Sequence, residues 1–134
     1  MKTLMLAIGL LLLSSAAHAA TIALNPQPGV VLLGVSCGGI HTSTYVTGFN
    51  DAGNIMGEVY AWTRCGGSGR GGGYRSKLYF SWHSIVWDLT GRALVTLPYD
   101  GIVPDPAFTE TDAAGNTIHT VAVPGGYQGL LETP

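Results

Sequence analysis

One pattern recurs three times and constrains this chain more than any other feature. An Asx residue, two further residues, a glycine and a polar residue sit between apolar runs. The copies are Asn50-Asp51-Ala52-Gly53-Asn54, Asp88-Leu89-Thr90-Gly91-Arg92 and Asp112-Ala113-Ala114-Gly115-Asn116. Asp or Asn begins a type I turn well, because its side chain accepts from nearby backbone N–H groups. Glycine suits the fourth position, where φ turns positive. Followed by a bulge, such a turn joins two antiparallel strands. Three hairpins are therefore expected: 44–49 with 54–63, 77–87 with 92–97, and 107–111 with 117–123. The turn starts lie 38 and 24 residues apart, too uneven for a regular solenoid.

The flanking runs have a period of two. In 54–63, Met56, Glu58, Tyr60 and Trp62 share one face, and Ile55, Gly57, Val59 and Ala61 the other. In 77–88, Leu78, Phe80, Trp82, Ser84 and Val86 alternate with Tyr79, Ser81, His83, Ile85 and Trp87. Ala93, Val95 and Leu97 form a third alternating set. Aromatic, β-branched and Thr residues fill these runs, as pleated strands prefer. The expected fold is all-β: an antiparallel sandwich or partly open barrel of six to eight strands with one disulfide. Val30–Val35 reads as a further short buried strand. Ten aromatic residues lie between Tyr45 and Tyr99, so the core is expected mainly there.

The N-terminus predicts export. Lys2 is followed by the apolar run Leu4–Leu13, long enough for a signal peptide and too short to span a bilayer. Ala17-His18-Ala19 offers small residues at both positions that signal peptidase reads. Residues 1–19 are thus expected to be removed. Residues 20–29, with Pro26 and Pro28, are read as an extended leader, and residues 30–134 as a single β-domain. The mature product is expected in the periplasm or outside the cell, without a membrane span. In an oxidising compartment Cys37 and Cys65, the only cysteines, should pair. A metal site of Cys37, His41 and Cys65 is the rival, but C-x3-H with a distant Cys matches zinc spacing poorly.

With 46% hydrophobic and 10% charged residues, the chain is no disordered polar segment. Its net charge of −2 offers no basic field for nucleic acid or an anionic membrane. Gly66–Gly73 is six-eighths glycine and formally contains G-x-G-x-x-G, but the strand-like run after it lacks the helix that a dinucleotide fold requires. Its Arg70, with backbone amides, could hold a small anion. One Arg-Gly-Gly copy on an acidic exported chain argues against RNA. No cofactor is expected.

His83 could join Asp88, Asp100 or Asp105 and a hydroxyl in a small hydrolase, yet no G-x-S-x-G elbow marks a nucleophile. Glu58 is the one mid-strand acid among aromatics, and the sequence supplies it no partner. Asp105, Glu110 and Asp112 lack the D-x-D-x-D-G spacing of a calcium loop. Tyr60, Trp62, Tyr79 and Trp87 could present aromatic area to a glycan or protein. The expected role is a non-enzymatic binding or surface-structural module. The alternatives are the hydrolase using His83, or an inhibitor presenting the Gly66–Gly73 loop.

Two resemblances accompany these residues. The run Gly48-Phe49-Asn50-Asp51-Ala52-Gly53-Asn54-Ile55-Met56-Gly57, followed by His83-Ser84-Ile85-Val86-Trp87-Asp88 and Leu94–Pro98, resembles the HAF-type repeat of bacterial extracellular proteins. One copy would cover about 48–98, with a fragment at Asp112–His119. The glycine loop and the cysteines depart from that repeat. Cys65–Tyr74 with Trp87-Asp88-Leu89-Thr90-Gly91 is similar to a pattern in small uncharacterised secreted bacterial proteins. Both resemblances imply export and a β fold, and neither implies catalytic residues.

Overall fold

The computed structural model describes residues 19–28, 33–66 and 76–134. Eight strands form in chain order: β1 Ala20–Leu24, β2 His41–Phe49, β3 Ile55–Cys65, β4 Lys77–Trp87, β5 Ala93–Pro98, β6 Thr109–Thr111, β7 Thr117–Val123 and β8 Gly126–Thr133. They make two antiparallel four-stranded sheets packed as a sandwich. The front sheet is the meander β2-β3-β4-β5, and the back sheet has the order β1-β8-β7-β6.

All three Asx-glycine turns close hairpins by the same bonds. The Asn50, Asp88 and Asp112 carbonyls accept from Gly53, Gly91 and Gly115 N–H at 2.9, 3.0 and 3.1 Å. Each Oδ1 also accepts from amides two and four residues on, at 2.8–3.1 Å. The three glycines have φ of +83°, +85° and +88°, where a Cβ is disfavoured. Local chemistry thus fixes β2-β3, β4-β5 and β6-β7. The β3-β4 pairing is longer than any of these, running in register from Ile55↔Trp87 to Cys65↔Lys77. Residues 20–29, read as a leader and described as far as residue 28, begin with β1, which pairs from Ala20↔Thr133 to Leu24↔Gly129. The expected strand at Val30–Val35 does not form over Leu33–Val35, where Val35 is exposed. Its remainder lies outside the described residues.

The core between the sheets is Leu24, Val46, Ile55, Val59, Ala61, Ile85, Trp87, Ala93, Ile118 and Leu131. Trp87 is its only aromatic member among the described residues. As expected, most of the core lies within 45–99, where it comprises Val46, Ile55, Val59, Ala61, Ile85, Trp87 and Ala93, but most of it is aliphatic. The alternation of β3 and β4 is as expected: β3 turns Ile55, Gly57, Val59 and Ala61 inward, and β4 adds Ile85 and Trp87 to the core. Two sheets about 10 Å apart are filled well by branched aliphatic side chains, and a second row of large rings would separate them. Trp87 enters because Gly57 stands against its indole: a Cβ there would collide with the ring and with the Tyr45 carbonyl. Its Nε1 donates to the Asn25 carbonyl at 2.8 Å, which satisfies the buried N–H.

Cys37 and Cys65 form the expected disulfide, with Cα atoms 5.1 Å apart. It ties the segment before β2 to the end of β3. Thr63 Oγ1 is placed to donate to the Gly39 and Cys37 carbonyls, at 2.8 and 3.2 Å, and so reinforces the junction. Closing this loop should contribute about 3–4 kcal/mol on a chain-entropy account.

Candidate functional site

The outer face of the front sheet carries what the core leaves out. Strand register sorts its side chains into rungs. His41, Trp62 and Phe80 lie side by side, then Ser43, Tyr60 and Trp82, then Tyr45, Glu58, Ser84 and Leu97. The rings touch along and across these rungs. His41 stacks on Trp62 with centroids 4.4 Å apart. Tyr60 meets Phe80 at 5.9 Å and Trp82 at 4.8 Å. Trp82 meets Tyr45 at 5.9 Å and stacks with Tyr99 at 5.5 Å. Tyr127 of β8 extends the row, 5.3 Å from Tyr45.

Phe80 is 57% exposed, and Tyr60, Trp62 and Trp82 are half-buried. Tyr60, Trp62, Arg64 and Leu78 line an open depression of about 220 Å³. This is a platform with a shallow dip, smaller and more open than the clefts that enclose small molecules. The disulfide pins the end of the sheet on which His41 and Trp62 stack.

At the other end of the platform the chain leaves β5 and turns back. Tyr99 lies on Trp82, and its hydroxyl donates to the Ile102 carbonyl at 2.7 Å. The Ile102 amide donates to Asp100 Oδ1 at 2.9 Å. The Asp100 amide donates to Ser84 Oγ at 3.1 Å, and that hydroxyl donates to Glu58 Oε2 at 2.8 Å. Residues 99–103 thus form a strap across the sheet.

Glu58 is fully buried beside this strap, and its Oε1 has no donor among the described residues. Burial pushes its pKa up to about 7; the Ser84 bond works downward, and the Asp100 carboxyl beside it works upward. Asp100 moves the other way. Desolvation opposes this, but bonds from Ile102, Glu58 and Ser84 lower its pKa.

The sequence-predicted residues scatter against this geometry. Tyr60 and Trp62 belong to the platform. Trp87 is in the core at 0% exposure, out of reach of any surface ligand. Tyr79 points to the opposite side of β4, with the Lys77 ammonium 4.9 Å from its ring centre. Arg70 and residues 67–73 of the glycine loop lie outside the described residues. His83 is on the opposite side of β4 from Ser84, and its Nε2 meets Ser81 Oγ at 2.9 Å. Among the described residues no bond joins it to an acid. Asp88 and Asp105 cap their own turns instead. The disulfide uses both sulfurs that the metal reading required. Among the described residues, no three His, Cys, Asp or Glu side chains converge as metal ligands.

Ser84, Trp82, Phe80, Tyr45 and Tyr99 complete the site and were missed, and Asp100 was offered only to His83, not to the Glu58 side of the sheet. The parity that groups Glu58 with Tyr60 and Trp62 was legible. The register that sets Ser84 beside Glu58 and Phe80 beside Trp62 was not.

No protein-family model matches the chain, and no curated protein or solved structure matches it. The resemblance to the HAF-type repeat therefore carries no further argument.

Proposed function

We propose that this is an exported, non-enzymatic binding module whose ligand is a polysaccharide chain laid on the aromatic platform of the front sheet. One observation carries the proposal. Tyr60, Trp62, Phe80, Trp82 and Tyr99 line one outer face, although the core is complete without them. Aromatic rings left at a surface offer flat apolar area for the C–H faces of sugars, and tyrosine hydroxyls and indole N–H groups add polar edges. The openness of the depression beside Trp62 favours a polymer lying across it over an enclosed small molecule.

Export is supported by Lys2, the apolar run and Ala17-His18-Ala19, by the disulfide, and by β1 beginning at Ala20, directly after the expected cleavage point. No helix among the described residues is long and apolar enough to cross a membrane. That His83 bonds Ser81 on the opposite side of β4 from Ser84, while Asp88 and Asp105 cap their own turns, favours the binding reading over the hydrolase alternative.

A protein partner is the second reading. Leu94, Val95 and Leu97 are exposed on the edge strand β5, where a partner strand could add. Glycan arrays and pull-down from insoluble polysaccharides separate the two. The proposal expects retention on at least one polysaccharide, abolished by Tyr60→Ala. Retention that ignores Tyr60→Ala, or a partner held through β5 alone, would overturn it.

A further inference from the structure

Charge is spread unevenly along this chain. Between Val59 and Trp87 stand four basic residues, Arg64, Arg70, Arg75 and Lys77, and no acid. Arg70 and Arg75 lie outside the described residues. Lys77 belongs to the opposite side of the sheet, where its ammonium meets the Tyr79 ring. Arg92 sits in the β4-β5 turn, at the far end of the strands. Among the described residues, Arg64 alone brings a permanent positive charge to the platform.

Register places it there. The outer face of β3 reads Glu58, Tyr60, Trp62, Arg64, and Arg64 pairs with Leu78. It closes the end of the depression that Tyr60, Trp62 and Leu78 also line. The residue is exposed, and its Nη1 donates to Ser76 Oγ at 3.2 Å. That bond ties down one nitrogen of a fork with five N–H donors. Among the described residues no carboxylate pairs with Arg64; the ion pair they contain joins His119 and Glu132. The acid on its own strand face, Glu58, is six residues back, about 20 Å along the strand. That exceeds twice the screening length of about 8 Å at physiological salt. The net charge of −2 therefore does not cancel Arg64 locally.

We propose that the Trp62–Arg64 depression is an acidic-sugar subsite, and that the polysaccharide held by the platform is a polyuronate. The inference rests on the platform reading and names its ligand class. A pyranose stacked on an indole presents its C–H face to the ring, so its substituents project sideways. On a uronic acid one of these is a carboxylate, joined directly to the sugar ring. Trp62 and Arg64 stand two residues apart on one strand, about 6.6 Å. The long arginine side chain spans that distance, and its remaining N–H groups suit a carboxylate bidentately. His41, stacked on the same indole, limits how far the ring can turn. Heavily sulfated chains and nucleic acids call for a row of cations along the backbone. The described outer face offers one, which fits one carboxylate per stacked sugar.

Affinity electrophoresis of the full mature chain at pH 7, in gels holding alginate or polygalacturonate, tests this. The methyl ester of each polymer is the control, because it keeps the backbone and removes the charge. Wild type should bind at least one acid about tenfold or more tightly than its ester, the size of one charge-assisted contact. Arg64→Gln should erase the difference between acid and ester. Arg64→Lys keeps the charge without the fork and should recover only part of it. The ester comparison stands even if a variant fails to fold. Equal binding of acid and ester, binding of neutral polysaccharides alone, or an acid preference that survives Arg64→Gln would overturn the subsite and leave the platform reading in place. Tighter binding of dextran sulfate or single-stranded DNA would overturn it too, as a response to charge alone. Polyuronate binding that Tyr60→Ala leaves intact, or no binding of any polysaccharide, would remove the platform reading and the subsite together.

Discussion

The two faces of the front sheet are made by the same strands and obey opposite rules. On β3, Ile55, Gly57, Val59 and Ala61 point inward, and Met56, Glu58, Tyr60 and Trp62 point outward. The inner set is dry and aliphatic, and its sizes are fixed by neighbours: Gly57 is small because Trp87 lies against it. The outer set is large, aromatic and partly wet, and it contains a buried acid. Packing between the sheets dictates the first set. Nothing in the core requires the second, so its composition needs another cause, for which ligand binding is our proposal.

The widest expected contrast sets one tryptophan against another. Trp87→Ala should cost about 3–5 kcal/mol by cavity formation and loss of its bond to Asn25. Trp62→Ala, half-exposed on the other face, should cost about 1 kcal/mol or less. Denaturant unfolding of both checks this, and equal losses would break the distinction between the faces. Next comes the disulfide: Cys37→Ser with Cys65→Ser should lower stability by about 3 kcal/mol. Because that bond anchors the His41–Trp62 end, platform binding should weaken as well.

A smaller effect separates the faces by pH. Glu58 has its folded pKa raised from 4.5 to about 7, so between these values the folded chain keeps a proton that the unfolded chain releases. This contribution is complete below pH 4.5 and is lost as pH rises through 7, with a slope of at most about 1.4 kcal/mol per pH unit. Asp88 and Asp112 have the reverse sign. The Thr90 and Asn116 side chains respectively lead the bonds that lower their pKa values, and their contribution fades only as pH falls through the carboxylate range. Unfolding curves from pH 4 to 8.5 should show the alkaline loss in wild type and none in Glu58→Gln. The least of these effects is Asp112→Ala, a small loss from removing one turn cap, measured the same way.

The sequence made legible what local chemistry controls. The Asx-glycine turns named three hairpins, and β3 and β4 showed their alternation. Nothing local announced the β3-β4 pairing, since the glycine loop between them has no turn signature. Strand β8, Gly-Tyr-Gln-Gly-Leu-Leu-Glu-Thr, was equally silent. Its Gly126 and Gly129 weaken strand propensity but let Ser43, Thr44 and Val46 of β2 approach closely, which is tertiary context. Hence Glu58 could be singled out as an acid among aromatics, while Asp100, 42 residues on, could not be seen as its neighbour. Aromatic content marked the stretch 45–99 that holds most of the core, but among its described aromatics Trp87 alone is fully buried, with Phe49 packed against the core.

The central claim is that the outer aromatic face serves binding and not folding. Polysaccharide retention by a Trp62→Ala, Phe80→Ala double variant tests it most directly, at a pH where the chain is fully folded. We expect retention to fall at least about tenfold, roughly 1.4 kcal/mol, with the disulfide and sheet content intact. A double variant that binds as the wild type does, or one that unfolds because these rings were holding the sandwich together, would contradict the account.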